Sequence, residues 1–512
     1  MILQMLPVLA LAAAGIGSNN VAARAKDWRI GPVVYQIFID RFAPPENPEA
    51  KRAAIRPPRV LMTWNDTPKP GKFVPALGVW SQELEFWGGD LNGIANRLSY
   101  IDSLGANVVY LSPINKAATN HRYDTEDYTQ IAPELGTQQD FTNLADGLHR
   151  MGLKLMLDGV YNHIGRTSPI FETALNQPVS SYRNWFYFDD KYKTGYRCFA
   201  GAPSLPCLNL ENPEVRNYLW RNQDSIVRRW LRNGADGLRL DVAYEIGPEF
   251  LDELTKAAHE TKPDSDIVGE IVGYPSDWFP AVDGVYNLSM IDVAMKTLSG
   301  EIPGGRAGLI FNHMVIDAGI EHLLRSWLVV DSQDTPRLAD RVPDPTDRKL
   351  LQAVQFTLPG APVIYYGTEL GMTGSGDPQN RAPMRWDLAN DKNPTLAWVR
   401  KLTAIRKKRP ALRYGDFAAL DTDRLLAYVR TTGKIAETTF VVVNPTASEV
   451  HDIAPIRVGR LQNLGPLKDL LTGTRVSPAN GLLTLTVPAK TAMILVPAMD
   501  KPNGYSPFHR IN

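Results

Sequence analysis

Gly237-Leu238-Arg239-Leu240-Asp241 reads as a short apolar strand that ends on a carboxylate, and the stretches around it repeat that design. Ile267-Val268-Gly269 runs into Glu270, and Leu328-Val329-Val330 runs into Asp331-Ser332-Gln333-Asp334. Acids that follow successive strands in this way emerge at one end of a sheet or barrel. Working outward, five more runs of the same kind are found: Val33 to Phe38, Val108 to Leu111, Leu153 to Leu157, Val285 to Leu288 and Val363 to Tyr366. Between them the segments Phe141 to Met151 and Val215 to Arg232 place apolar residues at helical spacing. Strands alternating with helices predict an α/β fold, a closed (β/α)8 TIM barrel with outer helices.

Two interruptions divide the chain. The stretch from Ile164 to Glu211 is too long for a simple connection and holds aromatics, Gly, Pro and both cysteines, so residues 164–211 are expected to form an inserted subdomain after the third strand. Towards the C-terminus the pattern changes to alternation, as in Leu425-Ala427-Val429, Thr439-Val441-Val443 and Leu483-Leu485-Val487. This predicts an antiparallel β-sandwich over 406–500, leaving the barrel to 26–163 and 212–405.

An apolar run around Leu6-Pro7-Val8-Leu9-Ala10-Leu11, followed by Ala23-Arg24-Ala25, reads as a secretory signal over 1–25 and predicts a periplasmic or secreted protein. No later stretch approaches the roughly 20 apolar residues that span a bilayer, so no membrane partner is expected. Cys198 and Cys207 are the only two cysteines, and export would allow them to form a disulfide; neither has a His or second Cys at metal-ligand spacing. Lys plus Arg and Asp plus Glu number 55 each, so no global field draws nucleic acid, and a neutral substrate is expected. Eleven Trp and nineteen Tyr supply flat faces on which sugars stack, although most such rings serve the core.

Two carboxyls facing each other across a bond, supported by a third, are what an oxocarbenium-like glycosidic cleavage requires. Taken singly, an acid after a strand caps a helix or pairs with a surface cation. Three acidic segments in order, each following a strand, point instead to a catalytic set.

Four segments, Asp158-Gly159-Val160-Tyr161-Asn162-His163, Gly237 to Asp241, Gly269-Glu270 and Gln333-Asp334-Thr335-Pro336-Arg337, resemble in order and spacing the signatures of the α-amylase family of retaining glycoside hydrolases. Trp87 to Ile94, Asn120 to Tyr128 and Leu208 to Val215 resemble its neopullulanase and cyclomaltodextrinase branch. The resemblance implies Asp241 as nucleophile, Glu270 as acid and then base with a raised pKa, the pair about 5 Å apart, and Asp334 as stabiliser of the transition state. It implies substrate-binding roles for Tyr123 beneath the sugar, for His163, Arg239 and Gln333, and for the late-loop pair Asp377 and Arg381. Asp158 and His121 are expected to support the site. Arg239, two residues before Asp241 on one strand face, favours the ionised nucleophile.

Three departures stand out. The family places a His where Gln333 stands, and an amide donates and accepts but carries no charge. Ile271-Val272-Gly273 replaces an aromatic after Glu270, which bears on whether water or a sugar captures the intermediate. The calcium site of some relatives needs a His after the nucleophile, where this chain has Val242-Ala243-Tyr244-Glu245, so neither metal nor organic cofactor is expected. The branch's N-terminal dimerisation domain has no counterpart here, and a monomer is expected. The resemblance implies hydrolysis of α-glucosidic bonds, mainly α-1,4, in maltooligosaccharides, cyclodextrins or short glucans. The alternatives are an α-glucan transglycosylase using the same residues and a non-catalytic carbohydrate-binding protein.

Overall fold

The computed structural model describes residues 20–461 and 465–498. Eight parallel strands form the centre: β1 (Val34–Ile37), β2 (Val108–Leu111), β3 (Lys154–Gly159), β4 (Gly237–Leu240), β5 (Asp266–Gly269), β6 (Gly284–Val285), β7 (Trp327–Val329) and β8 (Ala361–Tyr365). They are joined in the order β6-β5-β4-β3-β2-β1-β8-β7. The last seam is closed by a parallel bridge between Tyr286 and Trp327, with Asn287 N–H donating to the Trp327 carbonyl at 2.9 Å.

Alternation along each strand separates two layers. Val34, Val108, Met156, Val268, Trp327 and Val363 pack together inside the barrel. Their neighbours Tyr35, Val109, Leu155, Leu157, Leu238, Ile267 and Ile364 face outward into the main core, under the helices. On the inner face, polar residues stand towards the C-terminal ends: Gln36, Asp158 and Arg239, all buried. Helix α1 (Gln138–Arg150) illustrates how the outer layer forms. Thr137 and Asp140 satisfy each other's backbone N–H groups at its start, and Phe141, Leu144, Ala145 and Leu148 are its buried stripe.

The expected runs differ from the elements in two places. Val285 to Leu288 is strand only over Gly284–Val285, because the Asn287 side chain accepts from Met290 N–H and starts α4 (Leu288–Leu298). Val215 to Arg232 is not one helix but Pro213–Arg216, a π turn at Asn217–Arg221, and α2 (Ile226–Arg232). Asn222, Asp224 and Ser225 lie between, where Ser225 N–H bonds the Asn222 carbonyl in a turn, a use of short polar residues that competes with helix. The helix after β4, α3 (Pro248–Thr261), is regular.

Residues 164–211 carry the helix Pro169–Asn176 and an irregular antiparallel ladder over an aromatic cluster, with Phe171 against Phe186 at 4.9 Å and Tyr196 at 4.8 Å. The expected disulfide is absent: Cys198 and Cys207 are free thiols. Cys198 pairs with Pro206, and Cys207 N–H bonds the Arg197 carbonyl, so the two cysteines are one residue out of register and their side chains leave opposite faces.

The C-terminal domain is two sheets. Six strands pair in one, including Leu426–Thr431, Thr439–Asn444 and Thr491–Pro497, and Val450–Pro455 pairs with Leu482–Val487 in the other. Phe440, Val442, Met493 and Leu495 meet Val450, Leu483 and Leu485 between the sheets. The alternate residues Val441, Val443 and Ile494 join the barrel core, so the large sheet is buried on both faces. Helix α5 (Gly304–Ala318) packs on this sheet so closely that a Cβ on Gly305 would lie 1.9 Å from the Thr422 carbonyl oxygen.

The segment boundaries shift accordingly. The helix Pro394–Lys408 runs through the expected 405/406 division, and sheet begins only at Asp416. Of the expected leader, residues 1–19 lie outside the described residues, as do 462–464 and 499–500 of the sandwich. Val21–Lys26 is a folded helix whose buried Arg24 pairs with Glu321 and Asp416 at 2.7 Å each, so a division after residue 25 cuts a docked element. Among the described residues, no helix is long and apolar enough to cross a membrane.

Candidate active site

Strand register sets the level of each acid. Asp158 on β3, Arg239 on β4 and Val268 on β5 are direct neighbours across the sheet. Asp241 and Glu270 stand just beyond, where Asp241 N–H bonds the Gly159 carbonyl and Glu270 N–H bonds the Leu240 carbonyl, both at 3.0 Å.

Arg239 organises three carboxyls. Its Nη1 donates to Asp158 Oδ1 at 2.8 Å and to Asp241 Oδ1 at 2.9 Å, and its Nη2 lies 2.7 Å from Glu270 Oε1. The other Glu270 oxygen, Oε2, accepts from Val242 N–H at 2.9 Å. Val242 has φ 49°, a left-handed conformation that costs a β-branched residue roughly 1–2 kcal/mol. That turn, directly after Asp241, is what aims the N–H at Glu270.

A second chain of contacts fixes Tyr123 and Asp334. Asp158 Oδ2 accepts from Tyr110 at 2.6 Å and from Tyr123 at 2.8 Å. Gln333 Nε2 donates to the Tyr123 hydroxyl at 2.9 Å and to Asp334 Oδ2 at 2.6 Å, while its Oε1 accepts from Gln36 Nε2. Arg381 donates to the Gln333 carbonyl at 3.0 Å and to Asp334 Oδ1 at 3.2 Å, and reaches Asp377 at 3.4 Å.

These groups surround a cavity of about 300 Å³ at the C-terminal ends of the strands. Asp241, Glu270, Asp334, Tyr123, His163, His121, Asp377 and Arg381 all line it. Arg239 and Gln333, expected to bind substrate, are not among the lining residues: they are 0% and 1% exposed, and they hydrogen-bond to side chains that line the cavity. Both hold the lining residues from behind, because each lies on or next to the inner face of the barrel, where only the outermost level opens to solvent. Asp158 is buried below them.

Electrostatics follow from the crowding. Burial pushes the Asp241 carboxyl well above its ordinary range; Arg239 pulls it down, and Glu270 and Asp158 push it up again. Burial likewise raises Asp158 against the pull of Arg239 and its tyrosine donors. His163 is pushed down to about 3 by burial and by His121, so its ring is neutral throughout the working range. His163 Nε2 stands 3.9 Å from Asp241 Oδ2, and the ring stacks on Phe199 at 5.2 Å.

Sequence reasoning missed several members. Glu83, Phe199, Ser204 and Tyr244 line the cavity and Gln36 and Tyr110 support it, while Val272, in the segment already singled out after Glu270, lines it too. Gln36 had a signal, a lone amide in the apolar run Val33 to Phe38 that a buried strand tolerates only with a partner. Phe199 and Glu83 sit on irregular loops and had none.

Residues 36–415 match the α-amylase family, described as "Alpha amylase, catalytic domain". Cyclomaltodextrinase from Geobacillus thermopakistaniensis is 34% identical over 481 residues, covering 91% of this chain and 76% of that protein. Neopullulanase 2 from Thermoactinomyces vulgaris is 31% identical over 490 residues, covering 92% and 78%. Among solved structures, the cyclic α-maltosyl-(1→6)-maltose hydrolase of Arthrobacter globiformis, in complex with cyclic α-maltosyl-(1→6)-maltose, superposes with a TM-score of 0.77 at 30% identity, covering 92% of this chain and 99% of that one.

Proposed function

The chain belongs to the α-amylase family of glycoside hydrolases, and from that membership we propose that it cleaves α-glucosidic bonds, mainly α-1,4, in cyclodextrins, maltooligosaccharides or related short glucans by double displacement. One observation carries the assignment of roles: Asp241 and Glu270 share one guanidinium and open together into a cavity that Asp334 also lines. A pair held by one fork suits the short spacing of retention, about 5 Å, rather than the wider gap that admits a water in inversion.

Asp241 attacks the anomeric carbon from the β face, opposite the leaving group, while Glu270 gives its proton to the leaving glycosidic oxygen. The old C–O bond breaks as the Asp241 ester forms. Glu270, now a carboxylate, takes a proton from water, whose oxygen displaces Asp241 and restores the α configuration. Arg239 favours the ionised form of Asp241 against its burial, and Asp334 and neutral His163 bind the ring hydroxyls as the oxocarbenium character develops.

A second reading rests on Tyr244 and Val272, which line the cavity with Glu270 and are 38% and 67% exposed. They offer an apolar face on which a sugar can replace water as acceptor. Incubating the protein with maltooligosaccharides, cyclodextrins, pullulan and isomaltooligosaccharides, with Asp241→Asn as the blank, separates the outcomes. Shorter sugars formed only with Asp241 support hydrolysis and name the linkage. Longer or cyclic products make it a transglycosylase, and no turnover removes the α-glucan assignment.

The apolar run within 1–17 supports export to the periplasm or exterior. N-terminal sequencing of protein recovered outside the cytoplasm checks this.

A further inference from the structure

Resting on the glucan reading above, we propose that Phe73 and Trp80 form a second sugar-binding platform on the rim of the catalytic cavity, taking pyranose rings of a longer α-glucan beyond the unit that is cleaved. The two residues are directly opposite each other on a small antiparallel hairpin, Phe73–Val74 with Val79–Trp80. Their rings meet edge to face at 5.6 Å, yet they remain 42% and 48% exposed, while Val79 between Gly78 and Trp80 is buried. Large rings left half open beside each other on an ordered element mark a contact surface rather than spare core.

The hairpin is held rigidly. Ser81 N–H bonds the Lys72 carbonyl at 2.8 Å, Lys72 N–H bonds Ser81 Oγ at 3.0 Å, and Gly71 N–H bonds Gln82 Oε1 at 2.8 Å. Both of its ends reach cavity-lining residues. Gly78 packs against Pro203 and Ser204, at distances where a Cβ would meet them at 3.1 and 3.2 Å. At the other end, Trp80 N–H donates to Glu83 Oε2 at 2.6 Å, and Glu83 Oε1 reaches His121 Nε2 at 3.4 Å. His121 in turn stacks on Tyr123, with centroids 5.7 Å apart. Ser204, Glu83, His121 and Tyr123 all line the cavity, so the exposed rings continue its wall outward.

A neutral oligosaccharide suits this surface. Aromatic faces hold the C–H faces of pyranose rings without charge, and stacking of this kind changes affinity by a few-fold per ring. The platform therefore acts on chain length and leaves the cleavage step unchanged.

Calorimetric binding of maltotriose and maltoheptaose to the Asp241→Asn protein, with and without Trp80→Ala or Phe73→Ala, tests this. Each exposed-ring substitution is expected to weaken maltoheptaose by about fivefold while maltotriose is unchanged, and Trp80→Phe is expected to restore most of the loss. Equal effects on both sugars, or none on maltoheptaose, overturn the platform. Length-dependent binding without turnover by the Asp241 protein overturns the hydrolase reading alone and leaves the platform standing. A protein that binds neither sugar overturns both.

Discussion

Gln333 shows how a buried side chain can hold a site from behind its lining. Its amide nitrogen is divided between Tyr123 and Asp334, and its oxygen is held by Gln36, so β1 and two loops at the site are tied through a group that cannot titrate. Gln333→Ala is expected to lower kcat by roughly 10- to 100-fold through loss of alignment and to cost about 1–3 kcal/mol of stability because Gln36 loses its buried partner, measured by steady-state kinetics beside a melting curve. Asp124 provides a pH test of burial. Its carboxyl is raised to about 6, chiefly by burial, so the folded state binds the proton more tightly than the unfolded chain. That contribution is present in full below pH 4 and is lost as the pH rises through 6, up to about 3 kcal/mol. Asp124→Asn lacks it, so its melting temperature relative to the parent should rise between pH 4 and 7; a constant difference contradicts the assignment. The acids at strand ends were legible because their position in the run carried the information. The burial of Arg239 and Gln333 was not, since depth within a barrel depends on the register of neighbouring strands.

At the scale of elements, apolar runs located all eight barrel strands, because strands buried on both faces leave a continuous signal. Where the reading failed, short polar residues had redirected the backbone: Asn287 ended a run by capping a helix, and Asn222 to Ser225 broke one that apolar spacing alone had joined. The cysteine pair shows the same limit, since proximity in sequence said nothing of the one-residue offset that separates the thiols. Helix α5 approaches its neighbour closely through a glycine. Gly305→Ala puts a methyl group into the Thr422 backbone, and about 1–3 kcal/mol of destabilisation is expected. Thermal unfolding should show it, whereas substitution of exposed Ile316 on the same helix should not.

At the scale of the molecule a barrel and a sandwich share a continuous apolar interface, and the insertion of 164–211 supplies part of the cavity wall through Phe199 and Ser204. Class and domain order followed from periodicity, but the shape of the mouth did not, because irregular loops have no period to read. The formal charge of zero leaves recognition to stacking, hydrogen bonds and the local carboxyl cluster, as a neutral glucan requires. The central claim is that Asp241 and Glu270 act from opposite faces of the anomeric carbon in two successive inversions that together retain its configuration. Proton NMR of the first products formed from a cyclodextrin or maltoheptaose measures this directly. The account predicts α-anomers of shorter maltooligosaccharides that are absent with Asp241→Asn; β-anomers, or unchanged cleavage by that variant, would contradict it.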